Sequence, residues 1–518
     1  MVGRDGTRIS LWQNMPVYVS VNRPKISDVY DVAVVGGGIS GISTALLLQQ
    51  KGLRCVVLEA ANIGFGTTGG TTAHLNTLLD TDYNTIERNF DEQGARQIAG
   101  AVTGAIDLIR DHINQYRIRC NFEDSAAYLF SQDEKQDELL RQIYSSSARA
   151  GLQIAHSDRI PIPVSFRKAL KVEGQAKFHP LRDLYGIATG FEELNGVIIQ
   201  SCRVTDAKED GSLHALQTTH GTVKASHIVY ATHIPPGINL IHLRCAPWRS
   251  YAMAVKLADD NYPDGLVYDM EEPYHYYRTQ EIDGEKYLIA GGKDHKTGQD
   301  KNATHHFRKL ESQVEKIFDV KEISYEWSSQ YYEPIDGLPF IGHLPGHHHN
   351  VFVASGFGGN GMVYSSVAAK VLTDIITTGK SELEALLSPA RIKPVAGFTE
   401  FVKHNADVVK EFAGQFFGRE ELEEFVSVAK GEGKVVTYRG RTIAISRDMQ
   451  DQLHVVNPRC SHMKCSVHWN NSELSWDCPC HGARYDSHGN VLNGPADKNL
   501  ESISLAALAG KKRVLGLL

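Results

Sequence analysis

Three observations predict an α/β chain that ends in a small all-β domain. Residues 29–59 read as strand, glycine turn, helix and strand. Residues 351–378 repeat the strand, glycine turn and helix far downstream. After Gly431 the apolar period changes from near-helical to two, and two Cys/His pairs follow. At 518 residues the chain is too long for one compact core and suits two or three domains.

The first element is the β-branched run VYDVAVV (29–35), ending in Gly36-Gly37-Gly38-Ile39-Ser40-Gly41. The apolar helical stretch ISTALLLQQKG follows, then a second strand, RCVVLEA, carrying Glu59. This is G-x-G-x-x-G between a strand and a helix. Gly36, Gly38 and Gly41 let the backbone approach a pyrophosphate at the positive end of the helix, and the Glu59 carboxylate accepts from a ribose hydroxyl. A glycine-rich turn without a ligand is the alternative. The strand, helix, strand and terminal acid in register favour the dinucleotide.

Which dinucleotide depends on two further stretches. Residues 64–74 form a long loop of small residues, in which Gly66, Thr67, Thr68 and Gly69 would bring backbone close to a flat flavin ring. Downstream, Asp336-Gly337-Leu338-Pro339 precedes the strand VFVAS, and Gly358, Gly359, Asn360, Gly361 and Met362 lead into a helix. A helix N-terminus there aims amides at the flavin pyrimidine, where negative charge develops on reduction. These pieces, in this order, resemble the D-amino-acid oxidase superfamily, the glycine oxidase and sarcosine oxidase group, over residues 25–385. The resemblance implies FAD and a Rossmann-like α/β FAD-binding domain interleaved with an α+β substrate domain. It also implies return strands at 196–199 and 227–233, Val204 near the adenine, and substrate-domain strands at 276–280 and 287–294. The implied substrate is a small amine or amino-acid-like molecule.

One family feature is missing. Amino-acid oxidases of this group carry an arginine shortly before D-G-x-P to hold the substrate carboxylate bidentately. Here that stretch is Ser329-Gln330-Tyr331-Tyr332-Glu333. Arg278 or Arg249 is a candidate substitute, and Tyr331 a candidate polar lid. GTTAH resembles the stretch of dimethylglycine-type dehydrogenases in which a histidine is joined to the flavin. His74 is therefore a third candidate, with a noncovalent contact or packing as its other readings.

The expected division is an extension over 1–28, the oxidoreductase over 29–395, a helical connector over 396–430 and the β-domain over 431–518. That last part holds Cys460-Ser461-His462 and Cys478-Pro479-Cys480-His481. Cys460, His462, Cys478 and His481 suit a [2Fe–2S] cluster with two cysteines on one iron and two histidines on the other. Two cysteines and two histidines also suit tetrahedral zinc. Zinc fingers, however, pair like with like along the chain, whereas each loop here offers one of each. CSHMKC and CPCHG resemble the ligand loops of Rieske proteins, including the extra pair, Cys465 and Cys480, that forms a disulfide in the cytochrome bc type. Two free thiols are the alternative for that pair. Relative to high-potential Rieske proteins, Ala483 lacks a hydroxyl and Tyr485 keeps one, so an intermediate potential is expected. Gly494-Pro495-Ala496 resembles the proline loop that covers the cluster.

Composition narrows the rest. A net charge of −7 argues against a nucleic-acid partner. No apolar run is long enough to span a bilayer, and the N-terminus lacks a signal core, so a cytoplasmic location is expected. The resemblance implies oxidation of a C–N bond, and a flavin beside a one-electron cluster predicts that electrons leave singly through the cluster to an external acceptor. A reductase fed by an external donor and a non-enzymatic redox sensor are the other readings.

Overall fold

The computed structural model describes residues 6–22, 28–300, 302–392, 428–438 and 440–504, with 406 and 410 as isolated helical positions. The connector expected over 396–430 lies almost wholly outside the described residues.

The α/β part is built on a sheet ordered Phe340–His343, Val351–Ser355, Gly221–Tyr230, Val29–Val35, Cys55–Leu58 and Val197–Ile199. Its four inner pairings, from Val351–Ser355 to Val197–Ile199, are parallel, and Phe340–His343 closes one edge antiparallel. The inner strands are buried on both faces, which is why Val29–Val35 and Cys55–Leu58 read as continuous apolar runs. Helices Ile39–Gln50 and Gly361–Thr378 pack against each other on this sheet.

A second sheet runs Val320–Pro334, Cys245–Leu257, Glu285–Lys296, His275–Ile282, Leu266–Tyr268, Glu123–Ser131, Lys168–Lys177 and His74–Leu75. It is antiparallel except where Leu266–Tyr268 meets Glu123–Ser131. The chain crosses repeatedly between the two sheets, giving the interleaved Rossmann-like and α+β arrangement that the resemblance implies. The C-terminal part holds two small sheets. One contains Gly433–Tyr438, Arg441–Arg447 and Leu453–Val456; the other contains His468–Asn470, Ser475–Asp477, Arg484–Tyr485 and Val491–Asn493.

The N-terminal segment joins these parts together. Leu11 and Trp12 are buried in the main core. The Thr7 amide donates to Glu473 of the C-terminal part at 2.8 Å. Among the described residues, no helix is long and apolar enough to cross a membrane.

Candidate active site and cluster site

The two sheets enclose a cavity of about 600 Å³. At one end lie Gly36, Gly38 and Glu59, with Val204 nearby. Glu59 ends its strand with Oε2 accepting from the Gly37 amide and Oε1 from the Ala61 amide, both at 2.7 Å. Burial pushes its carboxyl up, opposed by those same amides. Gly36 has φ +112°, in the region that favours glycine. Gly41 does not line the cavity. A Cβ there would stand 1.9 Å from the Gly36 carbonyl oxygen, so its part is close packing of the turn.

Further along, Gly66, Thr67 and Thr68 face Gly358, Gly359, Asn360, Gly361 and Met362 across the same space. A Cβ on Gly66 or Gly361 would meet nothing within 4 Å, so both glycines leave room that a flat ring can occupy. This donor set and open cradle fit FAD. Gly69 is a correction to the expected lining: it faces away, and a Cβ on it would meet the Gly64 carbonyl oxygen at 2.4 Å and Gln13.

Three consecutive carbonyls fix the loop that borders this space. Trp327 Nε1 donates to Gly70 O at 2.8 Å, Trp12 Nε1 to Thr71 O at 2.6 Å, and Arg278 Nε to Thr72 O at 2.7 Å. The remaining Arg278 nitrogens donate to Gln280 Oε1 and Phe178 O. Arg278 is fully buried and does not line the cavity, so it is not positioned as the substitute carboxylate anchor. Arg249 is not so positioned either. It is also fully buried, with Nε donating to Ser328 Oγ and Nη2 paired with Glu473 Oε1 at 3.2 Å. The sequence reading missed Trp12 and Trp327, and the one available signal was tryptophan at otherwise unremarkable positions.

The other two candidates do line the cavity. Tyr331 donates its hydroxyl to Asp294 Oδ2 at 2.9 Å. His74 Nδ1 lies 2.6 Å from the Tyr268 hydroxyl, and burial holds its imidazole far below its usual pKa, hence neutral. Asp80 and Asp294, which line the same wall, were not anticipated.

The cluster loops flank short strands of the last sheet. Cys465 and Cys480 form a disulfide. That removes both sulfurs from ligation and leaves Cys460, Cys478, His462 and His481, with the two imidazoles 5.0 Å apart between centroids. His462 Nε2 donates to the Gly237 carbonyl at 3.0 Å, which leaves Nδ1 free to ligate. The ring of His242 lies 4.5 Å from that of His462 and 5.9 Å from that of His481. The set fits a [2Fe–2S] cluster whose histidine end is covered by the oxidoreductase part.

Tyr485 Oη lies 3.1 Å from Cys460 Sγ and accepts from the Ser461 amide at 3.0 Å. A hydroxyl donating to the thiolate favours the reduced, more negative cluster. Tyr485→Phe should therefore lower the midpoint potential on the order of 60 mV, the one-electron equivalent of about 1.4 kcal/mol. Redox titration followed by EPR reads this directly.

The cluster part also reaches the cavity. Gly494-Pro495-Ala496, expected to cover the cluster, lines the cavity together with Asn493 and Asp497. Gln330, a cavity residue, donates from Nε2 to Gly482 O at 2.8 Å, and Tyr332 Oη donates to His481 O at 3.2 Å.

A model of FAD dependent oxidoreductases, abbreviated DAO, matches residues 31–375, and a Rieske [2Fe-2S] domain model matches residues 422–504. A protein of Bacillus subtilis (strain 168) described as a Rieske 2Fe-2S iron-sulfur protein, YhfW, is 33% identical over 92% of this chain and 93% of its own. Gamma-glutamylputrescine oxidoreductase of Escherichia coli (strain K12) is 23% identical over 68% of this chain and 85% of its own. The crystal structure of glycine oxidase from Geobacillus kaustophilus superposes with a TM-score of 0.57 at 18% identity, covering 71% of this chain and all of that one.

Proposed function

The chain belongs to the FAD-dependent oxidoreductase (DAO) family and carries a Rieske domain, with FAD and a [2Fe–2S] cluster as its cofactors, and on that premise we propose that it oxidises a C–N bond of an amine or N-substituted amino acid. The two electrons leave one at a time through the cluster of the same chain to an external acceptor. FAD, when bound, supplies the two-electron chemistry, and the cluster carries single electrons.

The residues have separate tasks in this reading. Gly36, Gly38 and Gly41 shape the pyrophosphate turn, Glu59 holds the ribose, and Val204 packs near the adenine. The 66–68 loop and the 358–362 turn hold the ring between them. Cys460, Cys478, His462 and His481 ligate the cluster. Glycine oxidase and gamma-glutamylputrescine oxidoreductase are both named for compounds that carry an amine, which supports the substrate class.

The observation that carries the electron route is where the cluster sits. His462 is bonded to Gly237, next in the chain to the cavity residue Pro236, and Gln330 and Tyr332 bond the second ligand loop. A cluster serving an unrelated partner would have no need of its histidine end being held against the cavity wall.

The test is anaerobic mixing of the holoenzyme with primary, secondary and tertiary amines. Flavin is followed by absorbance and the cluster by EPR. At least one amine should bleach the flavin, with the reduced-cluster signal following it. Bleaching by NADH alone, or no response to any amine, overturns the reading in favour of a donor-fed reductase or a redox sensor.

A further inference from the structure

The cavity wall contributed by the second sheet differs in chemistry from the glycine-rich walls. Tyr268, Tyr276, Asp294 and Tyr331 stand on four of its strands, and Tyr274 lies just before one of them. Asp80 reaches in from the loop ahead of helix Tyr83–Gln115. Its Oδ1 accepts from Tyr274 Oη at 3.0 Å and its Oδ2 from the Gly359 amide at 2.7 Å. Asp80 is solvent-exposed and lines the cavity, and the surrounding protein raises its carboxyl.

Two buried polar atoms on this wall make no close hydrogen bond among the described residues, Asp294 Oδ1 and His74 Nε2, although the Ser250 hydroxyl is near enough to the Asp294 carboxyl to favour its charged form. A buried carboxylate oxygen with so little donation is costly, and a cation beside it offsets that cost. The charge pattern of the lining points the same way. The one lysine or arginine among the described lining residues is Arg203, whose Nη2 donates to Val491 O at 3.3 Å, beside Val204 and away from these tyrosines. A substrate carboxylate entering here would meet two aspartates and no guanidinium. An ammonium would meet two carboxylates and the electron-rich faces of tyrosine rings.

We propose that this wall is a receptor for the substrate's cationic nitrogen, with Asp294 and Asp80 as counter-charges inside a cage of Tyr268, Tyr274, Tyr276 and Tyr331, and that the substrate is an amine recognised without a carboxylate. The inference rests on the amine-oxidising reading and narrows its substrate class. It also accounts for the missing arginine before Asp336-Gly337-Leu338-Pro339, because a cage for a cation has no use for a second cation.

The test measures binding apart from turnover. Tetramethylammonium, which carries the charge but has no proton to lose, is titrated into oxidised holoenzyme at constant ionic strength. The flavin absorbance reports occupancy. Pivalate, of similar shape and opposite charge, is the comparison. Saturable binding of tetramethylammonium and none of pivalate is expected. Asp294→Asn should weaken the cation by at least tenfold with FAD content unchanged.

If that variant does not fold, the parent protein supplies the answer through pH. Burial lifts Asp294 to about 6, and Asp80, His275, Ser250, Tyr274, Tyr276 and Tyr331 surround it. The carboxyl is protonated below that value and ionised above it, so cation affinity should rise about tenfold from pH 5 to pH 7. Pivalate binding more tightly than the cation, no saturable cation binding, or an affinity indifferent to both Asp294→Asn and pH overturns the cage. Cation binding with no amine oxidised leaves the cage standing and removes the reaction. Amine oxidation with no cation binding does the reverse.

Discussion

Gly41→Ala is expected to yield a protein that neither retains FAD nor keeps its parental stability. The added methyl would sit 1.9 Å from the Gly36 carbonyl oxygen and 3.3 Å from Val34 Cγ1. Backbone cannot yield as a flexible side chain can, so the strand-to-helix turn must open. Overpacking of this kind costs about 1–3 kcal/mol, and here it falls on the turn that presents amides to the pyrophosphate. Gly66→Val separates the two consequences. Its side chain would project into open cavity, where a Cβ meets nothing within 4 Å. That variant should lose less stability as apoprotein than Gly41→Ala, whose methyl meets backbone, yet bind FAD at least tenfold more weakly than the parent, about 1.4 kcal/mol. Thermal unfolding of the apoproteins and flavin released on denaturation measure both halves. Parental FAD content in Gly66→Val would place the ring elsewhere.

Both glycine turns were legible in the sequence because their chemistry is local. A tight turn, a close backbone approach and a helix N-terminus all fall within a few residues, as do the ligands of each cluster loop. The disulfide was implied only by the resemblance of CSHMKC and CPCHG to Rieske ligand loops, with two free thiols as the alternative, and the structure forms the bond. The cavity wall was not legible. Asp80 and Asp294 are separated by more than two hundred residues and converge only because the second sheet brings its strands alongside the loop that precedes a long helix. Arg249 and Arg278 were legible only as candidate substitutes for the missing arginine, a role that their burial away from the cavity does not support. Their partners were not legible: Glu473 lies 224 residues beyond Arg249, and the Thr72 and Phe178 carbonyls have no sequence signature. A missing arginine was visible as an absence, and only the sheet shows that acids stand on the wall it would have served.

Glu473→Ala is expected to uncouple the cluster from the flavin while leaving both cofactors in place. Glu473 belongs to the cluster part, and its side chain is fully buried. It accepts from the Thr7 amide of the N-terminal segment and from Ser328 Oγ, and it pairs with Arg249 of the second sheet. Three separate pieces of chain are thus held by one carboxylate. Its removal leaves the Arg249 guanidinium buried without its counter-charge, a loss of about 3–5 kcal/mol that the protein can relieve by letting the cluster part lift away. Cys460, His462, Cys478 and His481 are untouched, and so are the FAD turns. In stopped flow, substrate should bleach the flavin at the parental rate while the reduced-cluster signal appears at least tenfold more slowly. Restoring charge balance without charge distinguishes docking from a specific need for the carboxylate. Arg249→Leu combined with Glu473→Leu fills the same volume with apolar atoms and should recover most of the stability, because a buried ion pair replaced as a pair is often neutral. If the double variant recovers stability and cluster reduction together, the ion pair acts as a fastening. If Glu473→Ala reduces its cluster at the parental rate, electrons do not depend on this contact, and the route along Gln330, Tyr332 and Gly237 must hold without it.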